Sequence, residues 1–283
     1  MSSPFTRFAG IDWSGAKGRR HKGIAIAICG EEGPPRLVRP GHVWSRTEVA
    51  DWLLREAKRE PTLFGFDFSF APPFAERGSY LPGEQDIPEE ARAFWAYVDT
   101  VAPDEDLGAG SFLEQAHRRH FYFGIADGRK ADFVRFRQCD HRLNALGGRK
   151  TASAYDAIGA AQVAKASFSG MRLLHRLSGK VPLWPMDPIE PSRSAVVEIY
   201  TRIYLRNAGM SGVKLRSRSA LDEALKGLGS PSARLRFEPD DHQADALVTS
   251  AGMRAHAARP GAFAPPGLTP ALARTEGWTF GIV

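Results

Sequence analysis

The chain has 283 residues, of which 43% are hydrophobic and 25% charged, with a formal net charge of +6 and two cysteines. That composition excludes a disordered or collagen-like chain, and two cysteines are too few for a disulfide framework or a cysteine-based zinc site. No run approaches the ~18 apolar residues that a membrane helix needs, and the N-terminus lacks an apolar signal core, so a cytoplasmic protein without membrane contact, built as one domain over residues 1–283, is expected.

The first strand is expected over Phe5–Trp13, ending in Ile-Asp-Trp-Ser-Gly, and the second over Gly23–Cys29. Arg36–Trp44 reads as a third, and the short Gly/Pro turns between the three make an antiparallel meander. Arg46–Arg59 is an amphipathic helix whose apolar face is Val49, Trp52, Leu53 and Ala57. Leu63–Phe70 is a strongly apolar fourth strand, which the preceding helix allows to run parallel to the first. Residues 71–194 break the rhythm and read as a mainly helical and loop insertion, with helices over Glu89–Val98 and Ala154–Leu177 and a loop at Gly147-Gly148. Ala195–Tyr200 is the fifth strand, followed by a short helix, Ser219–Gly227. Asp241–Arg259 is the last long helix, with Asp240 and Gln243 placed for a capping box. Glu276–Val283 reads as a short closing strand. An insertion that leaves and re-enters one sheet is expected to pack over that sheet's functional end.

Positive charge is unevenly spread. Residues 117–150 hold nine Lys/Arg against three Asp, residues 201–219 hold five and no acid, and Lys17, Arg19, Arg20 and Lys22 form a third cluster. Such patches attract polyanions, although a solvated surface explains them equally well.

Several acids occupy costly positions. Asp12 closes an apolar strand, where a lone carboxylate needs hydrogen bonds or a cation. Asp67 sits among Phe64, Phe66, Phe68 and Phe70, a poor place for a solvated charge. Asp241 and Asp245 are one helical turn apart, so they repel unless a cation lies between them. First-turn acids also complement the helix dipole, which accounts for Asp241 better than for Asp245. His242 shares that face. Glu198, in the fifth strand, points away from Val197 and Ile199, as a ligand, a supporting acid or a partner for Arg202 or Arg206.

The ordered motifs Phe-Ala-Gly-Ile-Asp12-Trp-Ser-Gly, Phe-Gly-Phe-Asp67-Phe-Ser-Phe, Val-Val-Glu198-Ile-Tyr and Asp241-His-Gln-Ala-Asp245-Ala-Leu resemble the DUF429 family, which is grouped with RNase H-like nucleases near the RuvC-type resolvases. The resemblance covers the segments 5–70 and 194–257. It implies an α/β fold: an RNase H-like core with a five-stranded mixed sheet, three strands antiparallel and the rest parallel, flanked by helices. It also implies a divalent-metal-dependent phosphodiester hydrolase acting on nucleic acid. Asp12, Asp67, Asp245 and His242 would be its catalytic residues, and Asp12, Asp67, Asp241 and Asp245 its metal ligands, for two Mg²⁺ or Mn²⁺ ions about 4 Å apart. Lys17, Arg19 and Arg20 would contact phosphate. His242 replaces an acid of the RuvC-type pair, Tyr200-Thr201 replaces Tyr-Pro, and the first-helix acid of RNase H has three candidates, Glu48, Asp51 and Glu56. Three rivals remain open at this point: a non-catalytic scaffold binding nucleic acid or protein, a metal-dependent hydrolase of a small phosphorylated metabolite, and an actin-like phosphotransferase, which would need a second Gly-rich phosphate loop that the chain lacks.

Overall fold

The computed structural model describes residues 3–147, 151–158 and 163–283. Its centre is a mixed sheet of strands β1 (Arg7–Asp12), β2 (Ala25–Gly30), β3 (Arg36–Leu37), β4 (Thr62–Phe66) and β5 (Ala195–Glu198), in the order β3-β2-β1-β4-β5. β2 is antiparallel to both β1 and β3, while β4 and β5 run parallel to β1. The crossover between β1 and β4 carries α1 (Arg46–Glu56), started by a capping box between Ser45 and Glu48.

Strand alternation sorts the apolar residues into two cores, one on each face of the sheet. Ala9, Ile11, Phe64, Phe66 and Val196 face α1, α2 (Ala91–Val101) and α4 (Val163–Leu177). Phe8, Ala27, Leu63 and Val197 face α5 (Thr201–Asn207), α6 (Arg218–Gly227) and α7 (Asp241–Ala257). Residues 71–194 leave after β4 and return at β5, and their Phe94, Trp95 and Phe168 are buried in the same cluster as Phe64 and Phe66. They also contribute α3 (Gln138–Ala145), and α8 (Pro270–Thr275) lies beyond α7.

Two glycines bring α7 onto the sheet. A Cβ on Gly10 would lie 2.5 Å from the Ala246 carbonyl oxygen, and one on Gly65 would fall on the Met253 sulfur. Gly10 and Gly65 are register partners in the parallel β1–β4 pair. Asp12 and Asp67 follow each by two residues, so alternation turns both acids toward the α7 side.

Several elements are shorter than the sequence pattern suggests. The third strand stops at Leu37, because Arg39 and Gly41 take φ of 49° and 79° and turn the chain; Trp44 instead accepts a hydrogen bond from the His21 amide. β4 ends at Phe66 rather than Phe70, where the Asp67 amide makes the last bond, to the Ile11 carbonyl. Ala154 and Ala157 are not helical: Tyr122 forms a bridge with Asp156, and the described part of α4 is Val163–Leu177. Ala160, Ala161 and Gly148 lie outside the described residues. The expected closing strand is a single parallel bridge, Glu198 to Thr279, confined by turns at Gly277 and Gly281, with φ of 70° and 110°. The capping box of α7 forms as expected between Asp240 and Gln243. Cys29 and Cys139 are buried and free. No described helix is long and apolar enough to cross a membrane.

Candidate functional site

Ile11 and Phe66 are the last paired residues of β1 and β4, so Asp12 and Asp67 emerge side by side at the strands' C-terminal ends. The first two turns of α7 add His242 and Asp245. All four line one cavity of about 500 Å³ at the sheet end. Segments of the insertion border it from the other side, through Arg137, Leu143, Thr151 and Ala166. His242 Nδ1 lies 2.5 Å from Asp12 Oδ2.

The electrostatics of this cluster are unfavourable without a cation. Burial, then the charges of Asp12, Asp245 and Glu198, push the Asp67 carboxyl well above the usual range. Burial and the charges of Asp12 and Asp241 push Asp245 up to about 7. Burial also raises Asp12, against the opposing hydrogen bond from His242, and that bond in turn raises His242. Among the described residues, the Asp67 and Asp245 side chains have neither a hydrogen bond nor an ion pair. Arg202, at the start of α5, lines the cavity and lowers the proton affinity of both acids from a distance.

The other expected site residues are placed differently. Asp241 stands at the cavity rim, where Arg216 at 3.2 Å and Lys214 at 3.6 Å hold its carboxylate ionised. Its charge is thus answered by protein cations, which weakens its case as a metal ligand. Glu198 is bound to Arg137, not to Arg202 or Arg206. Arg137 donates from both terminal nitrogens at 2.6 and 2.5 Å, the Thr279 hydroxyl donates at 2.5 Å and the Phe70 amide at 2.7 Å. Lys17, Arg19 and Arg20 do not line the cavity; they pair with Glu114, Glu105 and Glu48. The first-helix acids are committed too: Glu48 to the helix cap and Arg20, Asp51 to Arg176, and Glu56 to Arg7 and Arg59. Sequence reasoning offers Arg202 only as a partner for Glu198 and misses Arg137, because each sits in a basic stretch that reads as surface charge.

The donor set suits hard divalent cations. Asp12, Asp67 and Asp245 offer only oxygen, the ligand that Mg²⁺ and Mn²⁺ prefer. No choice of one oxygen from each brings all three within 4.8 Å of one another. The three acids therefore do not form a ready-made ligand shell for one ion. No family model, curated protein or solved structure matches this chain.

One consequence is measurable without a substrate. Asp245 binds its proton more tightly in the fold, at about 7, than unfolded, at 3.8. Its stability contribution is complete below the unfolded value and is lost as pH rises through the folded one. The buried His117 and His256 and the part-buried His120 run the opposite way, because burial lowers their proton affinity. The informative quantity is therefore a difference. In EDTA, Asp245→Asn is expected to gain stability on the wild type as pH rises from 5 to 8. Thermal melts at both values check this, and a gap that does not grow with pH contradicts it.

Proposed function

We propose that this chain is an RNase H-like, divalent-metal-dependent phosphodiester hydrolase. The observation that carries the reading is the convergence of Asp12, Asp67 and Asp245, from β1, the end of β4 and α7, in one cavity where two of the three have no hydrogen bond or ion pair among the described residues. The strand order β3-β2-β1-β4-β5, antiparallel on one side of β1 and parallel on the other, agrees with the sheet that the family resemblance implies. Asp12 adds its charge to that on Asp67 and holds His242 on α7.

Asp12, Asp67 and Asp245 would hold the cations. When bound, Mg²⁺ or Mn²⁺ supplies acidified water and charge neutralisation at the leaving oxygen. The chain's own residues do the remaining work. His242, whose proton affinity Asp12 raises, is set to deliver a proton to a leaving oxygen. Arg202 offers a cavity-facing cation for a phosphate oxygen.

The cavity's shape favours one refinement of the substrate. About 500 Å³ is the size of a small-ligand pocket, and the insertion borders it through α3 and the start of α4. The lysine and arginines near β1 that would track a polymer backbone are paired with Glu114, Glu105 and Glu48. A short nucleotide end or a small phosphodiester therefore fits better than a long duplex laid across the surface. The test is Mn²⁺-dependent hydrolysis of single-stranded, duplex and hybrid oligonucleotides beside small aryl phosphodiesters and phosphomonoesters. Hydrolysis of any phosphodiester that EDTA stops supports the reading. Cation binding without turnover of any of these substrates would return the chain to the scaffold class.

A further inference from the structure

A second cluster of ligand-type side chains lies in the insertion, away from the acids of the sheet end. His117 follows a π-helical turn, Phe112–Ala116, and His120 ends a single 3₁₀ turn, Arg118–His120. In 3₁₀ geometry residues three apart eclipse one another, so the two rings come to the same side. Glu84 reaches them from the turn after Leu81. Glu84 Oε1 is 3.0 Å from His120 Nε2 and 3.6 Å from His117 Nδ1, and the three ligand atoms all lie within 4.8 Å of one another.

We propose that Glu84, His117 and His120 form a three-ligand site for a zinc-class divalent cation, with the fourth position open to solvent. Ligands at 2.0–2.1 Å in a tetrahedron stand about 3.3 Å apart, and the two Glu84 distances bracket that edge. Two imidazoles with one carboxylate select Zn²⁺ and its neighbours over Mg²⁺ or Ca²⁺, so this site and the sheet-end acids call for different metals.

An orphaned atom is the independent sign. The His117 side chain is 8% exposed, and its Nδ1 is buried without a hydrogen-bond partner. Its other nitrogen, Nε2, is held by the Tyr97 hydroxyl at 2.9 Å. That contact fixes the ring as outer-shell partners of zinc-bound histidines do, and leaves Nδ1 aimed between Glu84 and His120. Burial favours the neutral, ligating form of both imidazoles. The competing occupant is Arg119, whose Nε lies 2.9 Å from the same Glu84 oxygen and 3.4 Å from His120 Nε2, and which also donates to the Gly83 carbonyl; its side chain is 62% exposed, and a cation would have to displace these contacts.

The site's place in the fold gives it a structural role. It would fasten the turn at Glu84 to the segment that runs directly into Tyr122. The Tyr122 amide donates to the Tyr155 carbonyl, and its carbonyl accepts from the Ala157 amide. Those residues continue from Thr151 and Ala152, which line the sheet-end cavity. A cation here would brace one wall of that cavity.

The test uses the full chain stripped with chelator and kept in excess Mg²⁺ to silence the sheet-end acids. It is titrated with Co²⁺ by visible absorption and with Zn²⁺ by calorimetry. One equivalent should bind, with the absorption of tetrahedral Co²⁺ bleached by Zn²⁺. Glu84→Gln and His120→Gln should each weaken Zn²⁺ binding at least about tenfold, while Asp67→Asn binds it like the wild type. Arg119→Ala, on the exposed side, should tighten it, which keeps the proposal testable if the other two variants misfold. Failure of the wild type to bind one equivalent, loss of binding in Asp67→Asn, or Arg119→Ala binding no more tightly would each overturn the site.

Discussion

Asp12→Asn is expected to cut metal-dependent hydrolysis about 10³-fold, roughly 4 kcal/mol of barrier, without unfolding the chain. The amide keeps the shape of the carboxyl group and retains an oxygen to accept from His242 Nδ1, now 2.5 Å from Asp12 Oδ2. It loses the charge that Asp12 adds to Asp67 and Asp245. Stability separates a working acid from a structural one. Asp12 is among the charges that push Asp67 upward, so neutralising it relieves repulsion in the metal-free protein. The variant should therefore match or exceed the wild type's stability in EDTA at pH 8, by an amount on the order of 1 kcal/mol. It should also forfeit most of the stabilisation that Mg²⁺ gives the wild type. A structural carboxylate would show the reverse, with the melting temperature falling in EDTA and hydrolysis falling only in proportion. Calorimetric melts with and without Mg²⁺, run beside the hydrolysis assay, decide between the two.

The sequence pattern disclosed the acids because their cost is local. A carboxylate that ends an apolar strand, like Asp12, or interrupts an apolar run, like Asp67, is visible in a few residues of sequence. Each also sits two residues after a glycine, Gly10 and Gly65, that lets α7 approach the sheet. This paired Gly-x-Asp signal was present but unread, since a strand glycine discloses its neighbour only once the helix is in place. Glu198 shows the limit of alternation. Its face was legible, but its partner Arg137 is 61 residues away and belongs to the stretch 117–150, which reads as surface charge. The partners of Lys17, Arg19 and Arg20 are hidden for the same reason, because these acids, apart from Glu48, come from the insertion. Helices α3, α5 and α8, of eight, seven and six residues, are too short to show a 3.6-residue period. The Glu84–His117–His120 cluster depends on a turn geometry that spacing alone does not specify.

The largest stability effect is expected at Arg137, whose side chain is 3% exposed. Its guanidinium spans Glu198 and Asp140, and it also reaches the Glu276 carbonyl at 3.3 Å. Arg137→Met would leave both carboxylates in a nearly dry site, where breaking a buried pair costs about 3–5 kcal/mol. Adding Glu198→Gln should recover part of that loss, since the cost lies in the uncompensated charge rather than in the missing contact. The same pair of variants fixes the role of Glu198. A carboxylate has about four lone-pair positions. Those of Glu198 receive two Arg137 nitrogens, the Thr279 hydroxyl and the Phe70 amide, so no direction is left for a cation. Glu198→Gln alone should therefore lower stability while leaving Mn²⁺ affinity within about threefold of the wild type, and Asp67→Asn should do the opposite. Denaturant unfolding and Mn²⁺ titration of the three proteins read out both quantities. A large loss of Mn²⁺ binding in Glu198→Gln would move Glu198 into the metal centre and require Arg137 to release it when cations bind.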